Sequence, residues 1–171
     1  MSNTKSSKAT GVVARGGRVL QMLERISPAA KDRAAKFLAR LHVRAYRLTG
    51  GSQVGSRGTP SLLLTTTGRR SGQVRTTALF YLPDGTRQVL VASYAGDDRH
   101  PQWYLNLLAN PAVTVQVGRD VWRATATTLT DDDRESIWPR LVQNYPGYAD
   151  YQQRTTRELP VVALTPAAHA V

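Results

Sequence analysis

Hydrophobic and polar residues recur along this chain with two different periods, and the change falls at Pro60. Before it, Ala34, Phe37, Leu38, Leu41, Ala45 and Leu48 form one apolar stripe at helical spacing, while Arg33, Lys36, Arg40, Arg44 and Arg47 repeat on another face. Ser27-Pro28 supplies an N-cap and a first-turn proline, and Gly50-Gly51 closes the pattern. An amphipathic basic helix is therefore predicted, followed by a flexible linker from Gly50 to Thr59. Val12 to Ile26 predicts a shorter helix, weakened at its start by Gly16-Gly17.

After Pro60 the period shortens to that of strands. Ser61 to Thr67 runs from leucines into threonines, as suits a buried strand that becomes wet at one end. Val74 to Leu82 predicts its hairpin partner, and Pro83-Asp84-Gly85 a turn into a strand from Gln88 to Tyr94. His100-Pro101 precedes a short helix, Gln102 to Ala109, that stops at Asn110-Pro111. Ala112 to Val117 and Val121 to Leu129 follow as strands. Thr130 is placed to cap a helix opening on Asp131-Asp132-Asp133, which Pro139 is expected to bend or divide. Leu159 to Leu164 predicts a last strand, and no internal repeat is visible.

Six strands, short turns and brief helices predict a mainly β (α+β) fold, a small closed or half-closed barrel; a doubly wound α/β sheet is disfavoured. Three segments are expected: a basic tail over 1–27, the amphipathic helix and linker over 28–59, and the barrel over 60–171.

Charge sharpens this division. The net charge is +11, but residues 1–60 carry twelve Lys or Arg against Glu24 and Asp32, whereas residues 61–171 carry eleven arginines against ten acids. The leader thus holds the excess, and an anionic partner such as a membrane surface fits it. The same helix serves equally well docked on the barrel with its arginines in water. No apolar run approaches the roughly 18 residues of a membrane span, and Met1 to Gly11 lacks the apolar stretch of a secretory signal. There is no cysteine, which removes disulfides and thiol chemistry and fits a cytoplasmic setting. His42, His100 and His169 are too scattered for a metal site.

Between the first two strands lies Gly68-Arg69-Arg70-Ser71-Gly72-Gln73-Val74-Arg75. Two glycines allow the backbone to curl its amides inward, and three arginines and a serine surround the turn with donors. Such a turn suits phosphate or carboxylate, although an ordinary basic hairpin has the same composition. It lacks the Lys-Ser or Lys-Thr of a nucleotide P-loop. No nucleophile–base arrangement is visible, so an enzyme of this kind positions a cofactor that performs the chemistry. Ala92-Ser93-Tyr94 and the Gln102–Asn106 segment offer polar and aromatic walls. Tyr145, Tyr148 and Tyr151, three residues apart, can share one face and line a pocket for an aromatic substrate, or simply pack together.

Taken in order, Leu63 to Arg75, Val91-Ala92-Ser93, Pro101 to Leu107, Ala109 to Gln116, Trp138 to Val142, Tyr145 to Gln152 and Leu159 to Val162 resemble the deazaflavin-dependent nitroreductase and quinone reductase family of actinobacteria. The resemblance implies a split β-barrel of the flavin-binding type that holds reduced coenzyme F-420, a 5-deazaflavin with a phosphate and an oligoglutamate tail. It implies hydride transfer to a quinone, nitro compound or activated enone. Arg69, Arg70, Ser71, Gly72, Gln73, Val74 and Arg75 match the segment for the coenzyme's phosphate and tail. Leu63, Leu64 and Thr65, with Val91, Ala92, Ser93 and Tyr94, match the ring and linker segments. Gln102, Trp103, Tyr104, Leu105 and Asn106 match a further binding segment. Tyr145, Tyr148 and Tyr151, with Ser93, match the substrate pocket. Ala78 stands where relatives often have proline, Tyr94 where a relative has a basic residue, and the leader matches by no motif.

The resemblance leaves a coenzyme carrier without turnover open. From the charge alone, a basic nucleic-acid-binding domain is a further alternative, but the near-neutral 61–171 region argues against it. No metal and no nucleic acid are expected, and the chain is expected to be a monomer or homodimer, cytoplasmic, with its leader able to touch the inner face of the membrane.

Overall fold

Seven strands form one antiparallel sheet. They are β1 (Ser61–Thr67), β2 (Val74–Phe80), β3 (Leu82–Asp84), β4 (Arg87–Val91), β5 (Ala112–Val117), β6 (Asp120–Leu129) and β7 (Val161–Pro166). Among the described residues four α-helices accompany them: α1 (residues 41–49), α2 (Gln102–Ala109), α3 (Asp131–Asn144) and α4 (Gly147–Gln153). The structure is a computed structural model and describes residues 41–51 and 59–167. The helix expected over Val12–Ile26, the first part of the basic helix and most of the linker lie outside the described residues.

The strand order is β2-β1-β5-β6-β7-β4-β3. The two edge strands, β2 and β3, are separated in the chain by Tyr81 alone. The sheet must therefore curl until its edges approach, which makes it a half-barrel. Alternation then sorts the side chains. Leu62, Leu64, Leu90, Ala92, Val113, Val115, Val162 and Leu164 pack into one core, which α2 plugs with Trp103, Tyr104 and Leu107. Val89, Val91, Val161 and Ala163 point the other way and pack under α3 and α4 against Ile137, Leu141 and Tyr148. Strands covered on both faces need no polar alternation, which is why Leu62-Leu63-Leu64 and Val161 to Leu164 read as unbroken apolar runs.

The sheet has seven strands rather than the expected six. Leu82, Pro83 and Asp84 pair with Val89, Gln88 and Arg87 instead of forming the turn, which falls at Gly85 and Thr86. Proline is tolerated there because β3 is an edge strand with no ladder partner for the missing N–H. Pro139 does not divide α3, which runs through it from Asp131 to Asn144. Pro139 and Glu135, whose carbonyl loses its helical donor, are both exposed, so water can take the vacated acceptor. Thr130 is the N-cap residue of α3, but its side chain makes no cap hydrogen bond.

The basic helix docks differently from its apolar stripe. In α1 the buried residues are Val43 and Tyr46, packed on Leu63 with Ala78 alongside. Leu41 and Leu48 are 44% and 87% exposed, and Ala45 is exposed as well. Tyr46 decides the face. Its hydroxyl donates to Ser61 O at 2.9 Å and accepts from the Gly118 N–H at 3.0 Å, pinning α1 to β1 and to the β5–β6 turn. Gly50 and Gly51, at φ +62° and +78°, then end the helix in the left-handed region as expected.

Candidate functional site

The arginine turn and the tyrosine pocket lie at opposite ends of β1. Thr67 pairs with Val74 at the turn end, and Ser61 pairs with Phe80 at the other. Six steps of extended chain separate them by about 20 Å.

At the turn, the backbone closes on itself. The Gly68 N–H donates to Gln73 O at 2.8 Å, the Ser71 and Gly72 N–H groups to Gly68 O, and the Gln73 N–H to Ser71 Oγ. Gly72 stands at φ +66°, and a Cβ on Gly68 would lie 2.9 Å from Ser71 Oγ. The Arg69 N–H donates to Asn106 Oδ1 at 3.2 Å. The inward-curled amide cradle expected from the glycines is therefore not formed, because most of these amides are already bonded within the turn or to Asn106. Side chains supply the free donors instead. Arg69 reaches Gln102 Oε1 at 2.9 Å and Arg75 reaches Gln73 Oε1 at 2.9 Å, while Arg70 is exposed. Among the described residues none of the three guanidiniums pairs with a carboxylate; the ion pairs there belong to Arg87, Arg99, Arg134 and Arg140. Two cations held by neutral acceptors, with Arg70 exposed beside them, suit an incoming phosphate or carboxylate.

Asn106 organises this end. Buried to 5% exposure, it receives Arg69 on its carbonyl oxygen and donates its amide to Thr66 Oγ1 at 3.2 Å. The other residues expected at the site divide by exposure. Gln102 is exposed, Leu105 half-buried, and Val74 71% exposed. Thr65 is half-buried, its hydroxyl 3.0 Å from that of Thr76. Leu64, Ala92, Trp103 and Tyr104 face the core, and Leu63 lies under Tyr46. Those five side chains are enclosed by protein and hold the walls from behind.

At the far end of β1 lies a pocket of about 240 Å³. Tyr145, Tyr148 and Tyr151 line it with Val91 and Ser93. Ser61, Ala78, Leu79, Phe80, Ala95 and His42 complete the lining. The rings of Tyr145 and Tyr148 lie 5.0 Å apart edge to face, and the hydroxyls of Tyr145 and Tyr151 3.2 Å apart. Gly147 permits this fold-over, since a Cβ there would lie 2.5 Å from the Tyr145 ring. Burial pushes the Tyr148 phenol well above the ordinary tyrosine range, helped by its two tyrosine neighbours. The Tyr151 phenol is raised by its hydrogen bond to Tyr145 and by burial. Both stay neutral at physiological pH, as hydrogen-bond donors.

The strand expected to reach Tyr94 ends at Val91 and turns sharply. Tyr94 and Ala95 have φ +49° and +56°, a strained conformation for residues with a side chain. Arg157 holds the turn: its guanidinium donates to Ser93 O at 2.8 Å, Asp97 O at 2.9 Å, Ala92 O at 3.3 Å and His100 Nδ1 at 3.3 Å. Burial and that adjacent cation lower the His100 pKa.

The family model of the F-420H(2)-dependent quinone reductases matches residues 38–166. The chain belongs to this family. An F-420H(2)-dependent quinone reductase of Mycobacterium tuberculosis is 45% identical over 134 residues, spanning 75% of this chain and 89% of that protein. A solved F-420-H2 dependent reductase, 42% identical, superposes with a TM-score of 0.58 over 61% of this chain and 93% of its own. A second solved relative, a domain-swapped dimer, is 37% identical with a TM-score of 0.60, over 77% and 98% of the two chains.

In this family member, sequence reasoning missed three things at the site. Arg157 stands beyond α4 in a stretch without a motif. Phe80, 5.1 Å from the Tyr145 ring, looked like any strand residue. His42, a lone histidine of the leader, reaches the pocket only because α1 folds back on β1 and β5.

Proposed function

We propose that this protein oxidises reduced coenzyme F-420 and passes the hydride to a quinone, with nitro compounds and activated enones as related acceptors. The observation that carries the reading is the division of charge and ring surface along β1. Three guanidiniums without carboxylate partners among the described residues mark one end, and a tyrosine-lined pocket marks the other. The residues fit the coenzyme: Arg69, Arg70 and Arg75, with Ser71 and Gln73, would hold its phosphate and acidic tail. Thr65, Val91, Ser93 and Tyr94 would flank its linker and ring, in a split barrel of the flavin-binding type. Bound there, the reduced deazaflavin supplies a hydride. The protein's own part is to place the acceptor over that ring and to donate hydrogen bonds from Tyr145, Tyr148 and Tyr151 to the oxygen that gains charge.

Titration with F-420 and with FMN, followed by fluorescence, tests the coenzyme. Saturable F-420 binding in preference to FMN is expected; tight FMN binding with no affinity for F-420 would contradict it. Turnover with menadione then separates a reductase from a carrier. Further, the exposed Leu41 and Leu48 beside Arg44 and Arg47 support peripheral contact with an anionic membrane, testable by vesicle sedimentation. The domain-swapped relative supports a homodimer, testable by light scattering.

A further inference from the structure

Beside the tyrosines and the serines Ser61 and Ser93, the pocket lining holds an imidazole, that of His42. Two independent contacts fix its place. Val43 and Tyr46 bury α1 against Leu63 and Ala78, and the Tyr46 hydroxyl is tied to Ser61 O. Ala78 and Ser61 are themselves pocket residues. His42 lies one helical turn before Tyr46, on the neighbouring position of the same face, and so stands at the rim of the pocket, exposed to solvent on its far side.

The chemistry of a quinone acceptor needs such a group. Hydride addition delivers one proton equivalent and the electron pair, leaving an oxyanion; a separate proton must reach that oxygen to complete the hydroquinone. Two of the tyrosines that line the pocket are poorly suited to give one up. The Tyr148 and Tyr151 phenols are both raised, by burial and by the hydrogen bond to Tyr145 respectively. Around the pocket, α4 presents Tyr148 and Tyr151, the α3–α4 junction presents Tyr145, and β1, β2 and β4 contribute Ser61, Ala78 to Phe80 and Val91, with Ser93 and Ala95 just beyond β4. No carboxylate or guanidinium lines the pocket among the described residues. An imidazole N–H can be passed to an oxyanion and the ring recharged from water on its open side.

Resting on the quinone reductase reading, we propose that His42 delivers the proton that completes hydroquinone formation. The imidazolium N–H bond breaks as the O–H bond forms, and solvent returns the proton to His42.

The test compares the wild type with His42→Gln and His42→Ala. With reduced F-420 and menadione, kcat of His42→Gln is expected to fall about 10- to 100-fold near neutrality, with coenzyme Kd unchanged. The pH dependence of kcat should differ between the wild type and His42→Gln. Added imidazole should restore rate to His42→Ala. Independently of turnover, imidazole NMR with menadione alone should shift the resonance missing from His42→Gln while leaving that of His100 in place. A kcat for His42→Gln within about twofold of wild type at every pH, or an unmoved His42 resonance, would overturn the proposal. A wild type that cannot oxidise reduced F-420 with menadione overturns the reductase reading instead, and the NMR shift still decides whether His42 meets the quinone.

Discussion

The two ends of β1 are built in opposite ways. The arginine turn is local: its backbone bonds run between Gly68 and Gln73, and the main element outside the hairpin that braces it is α2, through Gln102 and Asn106. Among the described residues no carboxylate answers its charges. The pocket end is assembled from distant segments, with α1, β1, β2, β4 and α4 each supplying a wall. A hairpin loop can change its ligand by exchanging Arg69, Arg70 and Arg75, because the bonds that close the turn do not run through those side chains. A pocket made from five elements changes whenever any one of them shifts.

That contrast predicts which substitutions cost stability. Arg157→Ala should cost most, about 2–4 kcal/mol in urea unfolding, since it strips donors from the carbonyls of Ala92, Ser93 and Asp97 beside a strained turn. Because that turn carries Ser93 and Ala95 into the pocket, KM for the quinone should rise as well. An unfolding midpoint equal to wild type would show that the pocket end is not held from a distance.

Tyr46→Phe should follow, at about 1–2 kcal/mol, because the Gly118 N–H and Ser61 O lose a buried partner. Accelerated proteolysis within residues 41–49 is the sharper readout, since the loss falls on α1.

The smallest effect is electrostatic. Raised phenols bind their protons more tightly in the folded state, so their contribution to stability should be flat below about pH 10, the unfolded value for tyrosine. It should fall above that, as the unfolded chain alone ionises. Alkaline titration followed in the ultraviolet should show Tyr148 ionising after the other tyrosines, and its ionisation together with exposed tyrosines would place it outside the buried cluster.

What was legible in the sequence divides along the same line. The β1–turn–β2 hairpin, α2 between Pro101 and Asn110, and the three tyrosines are sequence-local patterns, and each stands where its residues put it. The seventh strand was hidden because Pro83-Asp84-Gly85 is good turn chemistry, and only the curl of the sheet makes an edge strand of it. The docking face of α1 was hidden because hydrophobic spacing favoured Leu41, Ala45 and Leu48. The face was decided instead by backbone partners of Tyr46 contributed from residues 61 and 118. The glycines of the arginine turn were read as freeing amides for an anion, whereas they let the turn bond to itself. His42 and Arg157 had no signal at all, since their roles depend on tertiary approach.

The central claim is that the turn holds the coenzyme's charge and the tyrosines hold the acceptor. Measuring the F-420 dissociation constant for the double variant Arg69→Ala/Arg70→Ala and for Tyr145→Phe/Tyr151→Phe tests it most directly. Loss of two charge-assisted contacts should weaken binding about 100-fold for the arginine variant, with the difference shrinking at high salt. The tyrosine variant should bind F-420 within about twofold of wild type and lose instead in kcat/KM for the quinone. The opposite pattern, coenzyme affinity intact without the arginines and lost without the tyrosine hydroxyls, would contradict the account.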